Sequence, residues 1–473
     1  MQKRCIRSPS TVPESGPRTD ASHVNNNVLS LCSNLLIAIC LFFVFFTVIR
    51  TYPKAVYAEW VYYMTILTLV EYLRSGLVRN ALVKFLAGVE REDERKKIIG
   101  SGWAVSLGST AAVSVLCYGA YAVTGAAGIR VDYLLVFTCY PLFALASSPV
   151  NMAEVLLQAE NRFGVMLVLK TIEQTLFLLF CIGNYFLFRL PVWTVVAAQI
   201  AAVGLVSVAA VVLNLSGLGC LLHARLERIK KVLRFGLFSM GATLGQNLQK
   251  SAALVVIGIM LSKVEVALYS VPLKLIDVLQ IPLISFSNVA FPFLSRAGNG
   301  RDPEKMKDLF YRYAGVLTIL FAPLLAAVFF LAEPVIVLFS GEGYVRGGVT
   351  VTLLRLFVVA GFFLPLDRFI VNTLEGLGLP RYTFIKTAVA AAVNAAGIVI
   401  AVLAFHSLES AAAVTVITTL GGLVLGAWFL KRRLGVRYRN IFPFGLESLR
   451  ENARWVRRAV FKAVGWRTPV KKP

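Results

Sequence analysis

Long apolar runs dominate this sequence. Each is about 20 residues long, enough to cross a bilayer as a modestly tilted helix, and twelve of them can be counted. They lie at 27–49, 57–77, 100–124, 131–157, 164–188, 191–215, 235–259, 264–293, 310–337, 349–375, 383–405 and 410–430. Lipid offers no hydrogen-bond partner to an open backbone, so runs of this length should fold as helices. The sequence therefore predicts an all-α polytopic membrane protein of about 12 transmembrane helices.

Composition leaves little room for any other kind of domain. Of the 473 residues, 58% are apolar and 15% are charged, whereas soluble domains are about 45–50% apolar. An ordinary soluble enzyme is thereby excluded. The segment 1–26 is rich in Ser, Pro, Asn and charge and is predicted to be disordered. The apolar run after it exceeds the roughly 7–15-residue core of a cleaved signal peptide, so we expect it to remain as the first span.

Positive charge is distributed unevenly between the two sides of the predicted membrane. The chain has 48 Lys and Arg against 25 Asp and Glu, a net charge of +23. Counted over alternate loops together with the span ends that adjoin them, 38 Lys and Arg fall on one side and 6 on the other, and 4 remain inside spans. Because cytoplasmic loops collect positive charge, both termini are predicted to be cytoplasmic. The same asymmetry accounts for the excess of charge without a nucleic-acid partner.

Two short patterns recur six spans apart. The pattern Lys-x3-Ala-x-aromatic begins at Lys54 and again at Lys263, while Leu-Gln-Ala at Leu157 is matched by Leu-Glu-Gly at Leu374. Such repeats are typical of two-lobe secondary transporters, so we predict two six-helix lobes. The predicted parts are a disordered cytoplasmic N-terminus (1–26), an N-lobe (27–215), a basic cytoplasmic linker (216–234), a C-lobe (235–430) and a basic cytoplasmic tail with an amphipathic interfacial helix (431–473).

Apart from the cations near span ends, which are counted with the adjoining loops, four cations remain inside the predicted spans, namely Lys250, Lys274, Arg355 and Arg368. A charge at bilayer depth costs at least about 2.5–3.5 kcal/mol, so those present usually face a cavity or a partner. Lys250 stands among Gln and Asn side chains on span 7, which favours a cavity-lining position. Arg355 lies close to the outer end of span 10, where its side chain either snorkels to the surface or lines a cavity.

Residues of opposite charge stand close together on spans 2, 5, 8 and 10, with Lys170 and Glu173 as the structural pair of span 5. On span 8, Lys274 and Asp277 either neutralise each other one turn apart or leave Lys274 facing a cavity. On span 2, Glu71 and Arg74 are better explained as a structural pair. Four residues are candidate ion-coupling or structural partners, namely Asp277, Asp367, Glu71 and Arg74.

The pair Asp367 and Arg368 follows Pro365 on span 10. A proline inside a helix removes a hydrogen bond and bends the helix, and polar neighbours can satisfy the freed backbone groups. The sequence therefore predicts a kinked span with charged groups just beyond the kink.

Other chemical signatures are missing from the sequence. The seven cysteines form no CxxC pair, and the three histidines have no zinc-type spacing, so neither a metal site nor a cofactor is predicted. The glycine-rich segment 341–348 has no preceding strand and no GK[ST] ending, and we interpret it as a turn. The outer loops are all short, which leaves no place for a catalytic domain. We therefore predict no catalytic residues and no enzyme activity.

Seven short motifs follow one another in order along the spans. They occupy 76–81, 157–163, 233–237, 257–258, 266–270, 290–294 and 338–344. In their order and spacing, the chain resembles the polysaccharide flippases of the multidrug/oligosaccharidyl-lipid/polysaccharide exporter superfamily, the branch that transports O-antigens and exopolysaccharides. The resemblance covers essentially 27–431.

The resemblance implies a V-shaped pair of six-helix bundles that alternates access. It would flip an undecaprenyl-diphosphate-linked oligosaccharide from the inner to the outer leaflet of the bacterial cytoplasmic membrane, for surface polysaccharide biosynthesis. The four cations within the spans would then contact the lipid diphosphate. Implied partners are the lipid-linked oligosaccharide, the bilayer, and candidate polymerase and glycosyltransferase proteins.

The chain departs from that family at one point, and two alternatives remain. Many relatives carry an acidic residue in span 7, where this chain has Gln-Lys-Ser at 249–251, so a family-wide cation-coupling site is not carried over to this chain. Whether protons or sodium drive transport stays open. A multidrug or cation antiporter of the same fold would favour acidic cavity residues, whereas these lean basic. A membrane glycosyltransferase or polysaccharide polymerase is the second alternative and is disfavoured by the short outer loops.

Overall fold

The computed structural model describes residues 36–37, 39–86, 89, 91–126, 134–160, 162–300 and 302–451. Within these ranges the regular structure is helical, with no strand, which confirms the predicted all-α class. The main helices are α1 (Ile39–Thr51), α2 (Lys54–Leu86), α3 (Glu92–Ala126), α4 (Leu134–Ala159), α5 (Phe163–Gly183), α6 (Val192–Val212), α7 (Leu226–Met260), α8 (Lys263–Asn299), α9 (Pro303–Phe330), α10 (Ala332–Ser340), α11 (Val349–Gly361), α12 (Leu364–Gly376), α13 (Pro380–Phe405) and α14 (Leu408–Leu434). A last helix covers 441–451.

Eight helices in the described part of the chain are long and apolar enough to cross a membrane. They include α5, α6, α9, α13 and α14 in full and most of α3, α4 and α8, and a ninth span is counted if α11 and α12 are taken together. The multi-span character is thus confirmed, whereas the count of twelve stays a prediction. Of the three other predicted spans, 27–49 corresponds to the short helix α1, 57–77 falls on the charged helix α2, and 235–259 overlaps the short apolar stretch Ser251–Met260.

The kink predicted at Pro365 is present. The chain turns at 362–363, where the Phe363 amide bonds back to the Ala360 carbonyl at 3.1 Å, and α12 begins at the next residue. Proline lies in the first turn of α12, where its missing N–H does not interrupt the helical bonds. The axes of α11 and α12 differ by 42°, so span 10 is a broken helix.

Helix α6 shows the surface pattern of a helix that borders lipid. Leu205, Val208 and Val212 recur at helical spacing and are 62%, 62% and 72% exposed. The opposite face is buried, with Val195 and Val196 fully covered. An apolar face this exposed would be unfavourable in water, and in a membrane it is solvated by lipid tails.

Among the described residues, the backbone contacts separate two compact units. Unit 1 comprises Met1–Lys274, Ile336–Thr350 and Asn394–Ala411, and unit 2 comprises Leu275–Val335, Val351–Val393 and Ala412–Pro473. These units are defined by contacts in space and are not continuous in sequence. The lobe boundaries at 27–215 and 235–430 stay a prediction.

Unit 1 has two hydrophobic clusters stacked along α2. One is built around Tyr63 and Tyr140, and the other around Leu82 and Trp103. The indole N–H of Trp103 donates to the Ser216 carbonyl at 2.9 Å, so its polar atom is satisfied inside the cluster. The stretch of α2 between the two clusters carries buried polar side chains.

Unit 2 is held by close helix crossings at glycine. A Cβ on Gly298 of α8 would lie 2.0 Å from the carbonyl oxygen of Gly376 in α12. A Cβ on Gly315 of α9 would lie 2.7 Å from the Cα of Gly445 in the last helix. The backbones of these helices are therefore in direct contact. Only small residues permit helices to approach so closely.

The two repeated sequence patterns occupy equivalent places in the structure. Lys54 is the first residue of α2 and Lys263 is the first residue of α8. The other pair of motifs ends α4 at Ala159 and α12 at Gly376. Equivalent placement supports the internal repeat.

Three predictions concern parts of the chain that lie outside the described residues. They are the disordered segment 1–26, the part of the interfacial helix after residue 451, and the side chain of Lys250, whose backbone belongs to α7.

Candidate functional site: charged groups within the helices

Arg368 lies in the second turn of α12, just after the break in span 10. Its Nε donates to the hydroxyl of Ser287 on α8 at 3.0 Å, and Asn372, one turn further along α12, donates to the same oxygen at 2.7 Å. Ser287 is 1% exposed and Asn372 is 5% exposed. Neither Nη group of Arg368 makes a hydrogen bond within the described residues. The guanidinium is thus held on one edge and open on the other.

Asp367, the residue before Arg368, has a different partner. Lys386 of α13 donates its ammonium to the Asp367 carboxylate, and Lys386 is only 6% exposed. Lys386 is one of the 38 positive charges counted with the inner loops, and the structure instead buries it within helix α13. Because Lys386 neutralises Asp367, the positive charge of Arg368 is not cancelled by its neighbour.

Lys274 and Asp277 both stand on the exposed face of α8. The two residues between them, Leu275 and Ile276, are buried at 4% and 8% exposure. The shared face follows from the helical spacing of three residues. Mutual neutralisation and a cavity-facing Lys274 both stay predictions.

Arg355 is exposed on α11, and its guanidinium carbon lies 5.8 Å from the ring centroid of Phe329. Phe329 is the next-to-last residue of α9, so Arg355 stands near the end of that helix. This placement favours the snorkelling alternative over a position deep in a cavity.

Glu71 and Arg74 form the most extensively bonded ion pair of unit 1. The Nε and Nη2 of Arg74 donate to the two Glu71 oxygens at 2.9 and 2.8 Å. The remaining Arg74 N–H groups donate to Thr110 at 3.2 Å and to Ser148 and Ser147 at 2.9 and 2.7 Å. Arg74 is 2% exposed, and it joins α2, α3 and α4 between the two hydrophobic clusters.

The glycine-rich segment forms a turn, as predicted. A short 3-10 helix covers Glu342–Tyr344, and Gly341, Gly347 and Gly348 have positive φ angles of 87°, 89° and 72°. Tyr344 is buried beneath it, with the Lys54 ammonium 5.2 Å from its ring centroid. Burial raises the pKa of the Tyr344 hydroxyl.

Sequence reasoning missed several polar residues of these clusters. One is Glu154 of α4, 8% exposed, which pairs with Lys170 of α5 at 3.1 Å. Asn372 could have been found, because it lies four residues after Arg368 and therefore on the same helical face. Ser287 gives no comparable signal. Among the described residues, no group of three His, Cys, Asp or Glu side chains is placed to hold a metal ion.

Three solved structures share this fold. The inward-facing conformation of a multidrug resistance transporter of the MATE family, in the MOP (multidrug/oligosaccharidyl-lipid/polysaccharide exporter) superfamily, is 14% identical with a TM-score of 0.70 over 86% of this chain and 98% of its own. The lipid II flippase MurJ in an inward closed conformation is 14% identical with a TM-score of 0.68 over 90% and 91%. A MOP superfamily transporter from Pyrococcus furiosus, described as having a binding pocket of reversed polarity, is 14% identical with a TM-score of 0.58 over 87% and 95%.

The chain is thus a multi-span membrane protein whose fold is shared with transporters of the MOP superfamily. No curated protein sequence matches the chain. Residues 63–346, more than half of the chain, match the family model described as "Polysaccharide biosynthesis protein", and the chain belongs to that family. The resemblance drawn from the sequence motifs is confirmed at the level of family and fold.

Proposed function

We propose that this protein flips an undecaprenyl-diphosphate-linked oligosaccharide repeat unit across the bacterial cytoplasmic membrane by alternating access. Its product would feed the assembly of surface polysaccharide. Membership in the polysaccharide biosynthesis family supports the kind of cargo, and the shared fold with MOP superfamily transporters supports a transport mechanism.

The observation that carries the proposal is the open guanidinium of Arg368 inside a broken membrane helix. A lipid diphosphate needs cationic donors in a region where cations are rare. Arginine presents N–H groups in a fork that matches phosphate oxygens, and Arg368 keeps both Nη groups open within the described residues. The half-helix α12 begins four residues earlier, and the N-terminus of a half-helix also favours an anion.

The other cations predicted from the sequence would assist along the transport path. Lys274 is exposed on α8 and would meet the diphosphate, with Lys250 as a second candidate on α7. Arg355, near the end of α9, would act where the lipid headgroup leaves the membrane. We propose that a proton or sodium gradient drives the cycle.

A multidrug or cation antiporter is the second candidate, because a multidrug transporter of the MATE family shares the fold with a TM-score of 0.70. Such an antiporter would bind cationic compounds through acidic groups. Asp367, the acidic residue beside the break in span 10, is already neutralised by Lys386. The charge left beside the break is that of Arg368, with Glu375 two turns further along α12, and a positive charge at the break favours an anionic cargo over a cationic one.

The test is gene deletion followed by complementation in the host bacterium. We expect deletion to trap the lipid-linked repeat unit on the cytoplasmic side and to abolish surface polysaccharide. Arg368→Gln should restore less than about a tenth of the wild-type polysaccharide, the effect of losing one charge-assisted contact of about 1.5–3 kcal/mol. Lys274→Ala and Lys250→Ala should act in the same direction.

Arg381→Gln is the matched control, since Arg381 is exposed at the start of α13 and should complement fully. Protein abundance is measured for every variant by immunoblot. Normal polysaccharide in the deletion strain, together with increased sensitivity to cationic drugs, would favour the antiporter. Full complementation by Arg368→Gln would remove Arg368 from the transport path.

A further inference from the structure

Arg368 shares its helical turn with a residue of opposite charge. Asp367 and Arg368 are consecutive on α12. A free carboxylate at this position would cancel much of the positive potential that the guanidinium presents to an anion. Whether Arg368 can attract an anion therefore depends on what neutralises Asp367.

Lys386 supplies that neutralising charge from another helix. Its ammonium contacts the Asp367 carboxylate, and the side chains of Lys386 and Asp367 are 8% and 26% exposed. A buried lysine is rare unless it is paired, and a buried pair is little screened by solvent. Ser287, by contrast, contacts Arg368 without carrying charge.

The stem of Lys386 reaches Asp367 by crossing α14 at two glycines. A Cβ on Gly426 would lie 3.1 Å from Cδ and 3.3 Å from Cε of Lys386, and a Cβ on Gly422 would lie 3.8 Å from Cε. Glycines one turn apart on a membrane helix form a groove that admits a close neighbour. Here the side chain of Lys386 lies in the groove, and the groove fixes the path of that side chain.

The formal charges show what each residue contributes. Lys386, Asp367 and Arg368 together carry one net positive charge. Loss of the lysine would bring this sum to zero, and loss of the aspartate would raise it to two. Glu375, further along α12, also interacts electrostatically with Arg368 and is the same in every variant considered below.

We propose that Lys386 is a positioning residue for an anion site at Arg368. Its ammonium neutralises the Asp367 carboxylate, so that the Arg368 guanidinium stays available to an organic diphosphate. The inference rests on the proposed function for the nature of the anion. It goes further by assigning a role to a residue that contacts Asp367 rather than the cargo.

The experiment measures binding to the full chain in phosphatidylcholine nanodiscs by isothermal titration calorimetry. The probes are farnesyl diphosphate, a short lipid diphosphate, and inorganic pyrophosphate, with protein-free nanodiscs subtracted. The variants are Lys386→Gln, Asp367→Asn, the double variant and Arg368→Gln. We expect roughly tenfold weaker binding for Lys386→Gln, because an unpaired charge in the same turn acts through a low effective dielectric.

The double variant separates this role from the alternatives. With both charges removed, the sum of charges returns to that of the wild type, and we expect binding to return with it. Asp367→Asn should bind at least as tightly as the wild type, and Arg368→Gln should lose binding. Persistent loss in the double variant would mean that Lys386 itself contacts the anion, which would overturn the proposal.

Equal loss in Lys386→Gln and Asp367→Asn, with equally lowered melting temperatures, would mean that the pair is structural and would also overturn it. A second route avoids altering either charge. Gly426→Val should displace the Lys386 stem and weaken binding as Lys386→Gln does, whereas Gly421→Val, with open space at its Cβ, should not. Lys386→Arg should retain binding.

The two probes keep this inference distinct from the proposed function. If pyrophosphate binds as tightly as farnesyl diphosphate in the expected order of variants, the role of Lys386 holds and the lipid cargo is contradicted. If the wild type and Asp367→Asn bind neither probe, there is no anion site at Arg368 and both proposals fail.

Discussion

At the scale of single residues, Arg74 illustrates how a charge is made tolerable inside a helical bundle. A guanidinium has five N–H donors, and the five bonds to Glu71, Thr110, Ser147 and Ser148 use all of them. Tyr140 and Asn151 donate to the Glu71 oxygens from the other side. No donor remains for a ligand, so this pair serves to hold three helices together. Arg368 has the opposite property, because its fork is open.

Removal of Arg74 should therefore act on stability. We expect Arg74→Ala to lower the free energy of unfolding by about 3 kcal/mol, because it leaves the partly buried Glu71 charge without its ion-pair partner. Denaturant titration in mixed micelles would measure the change. Arg162→Ala, which removes a half-exposed partner of Glu160, should cost about 1 kcal/mol or less. Equal effects of the two substitutions would contradict the structural role.

At the scale of elements, the last helix is attached to α9 by a backbone crossing. Gly315 and Gly445 meet without side chains between them, and Ile441 lies against the same glycine. Around the crossing, the rings of Tyr311 and Phe444 are 5.3 Å apart. The described part of this helix, 441–451, is positioned on α9 by this crossing.

Gly445→Ala should detach this helix. A Cβ at this position would lie 2.5 Å from the carbonyl carbon of Gly315, and neither backbone can move aside easily. We expect a loss of about 1–3 kcal/mol, the cost of overpacking, and faster amide hydrogen exchange over 441–451. Gly421→Ala on α14 has open space at its Cβ and is the control, with a gain of up to about 1 kcal/mol expected from helix propensity. Unchanged exchange in Gly445→Ala would show that the crossing does not hold the helix.

At the scale of the whole molecule, most of the apolar spans were predictable and the pairings between them were not. Apolar runs of bilayer length are a property of the sequence alone, and a charge inside such a run stands out, which is how Arg368 was found. Lys386 was missed because it lies three residues inside a predicted span, where positive charge is ordinarily assigned to the adjoining loop. The contact of Arg368 with Ser287 joins residues 81 positions apart, and a single serine in an apolar helix carries no signal of its partner.

The predicted orientation of the chain can be checked directly with a membrane-impermeant maleimide. Lys230→Cys, in the basic segment that begins α7, should label after permeabilisation of the cells, and Arg346→Cys, in the turn before α11, should label in intact cells. This follows from the excess of positive charge on cytoplasmic loops. Cys5 and Cys32 are replaced by serine as background. Labelling of Lys230→Cys in intact cells would reverse the predicted topology.

The break in span 10 also displaces the end of α12 laterally. The 13-residue helix α12 is about 20 Å long, so the 42° bend carries its far end about 14 Å from where a straight helix would end. That offset exceeds the width of a helix, about 10 Å, and it is at this far end that Gly376 meets Gly298 of α8. The break at 362–363 therefore determines which neighbouring helix the end of the span can contact.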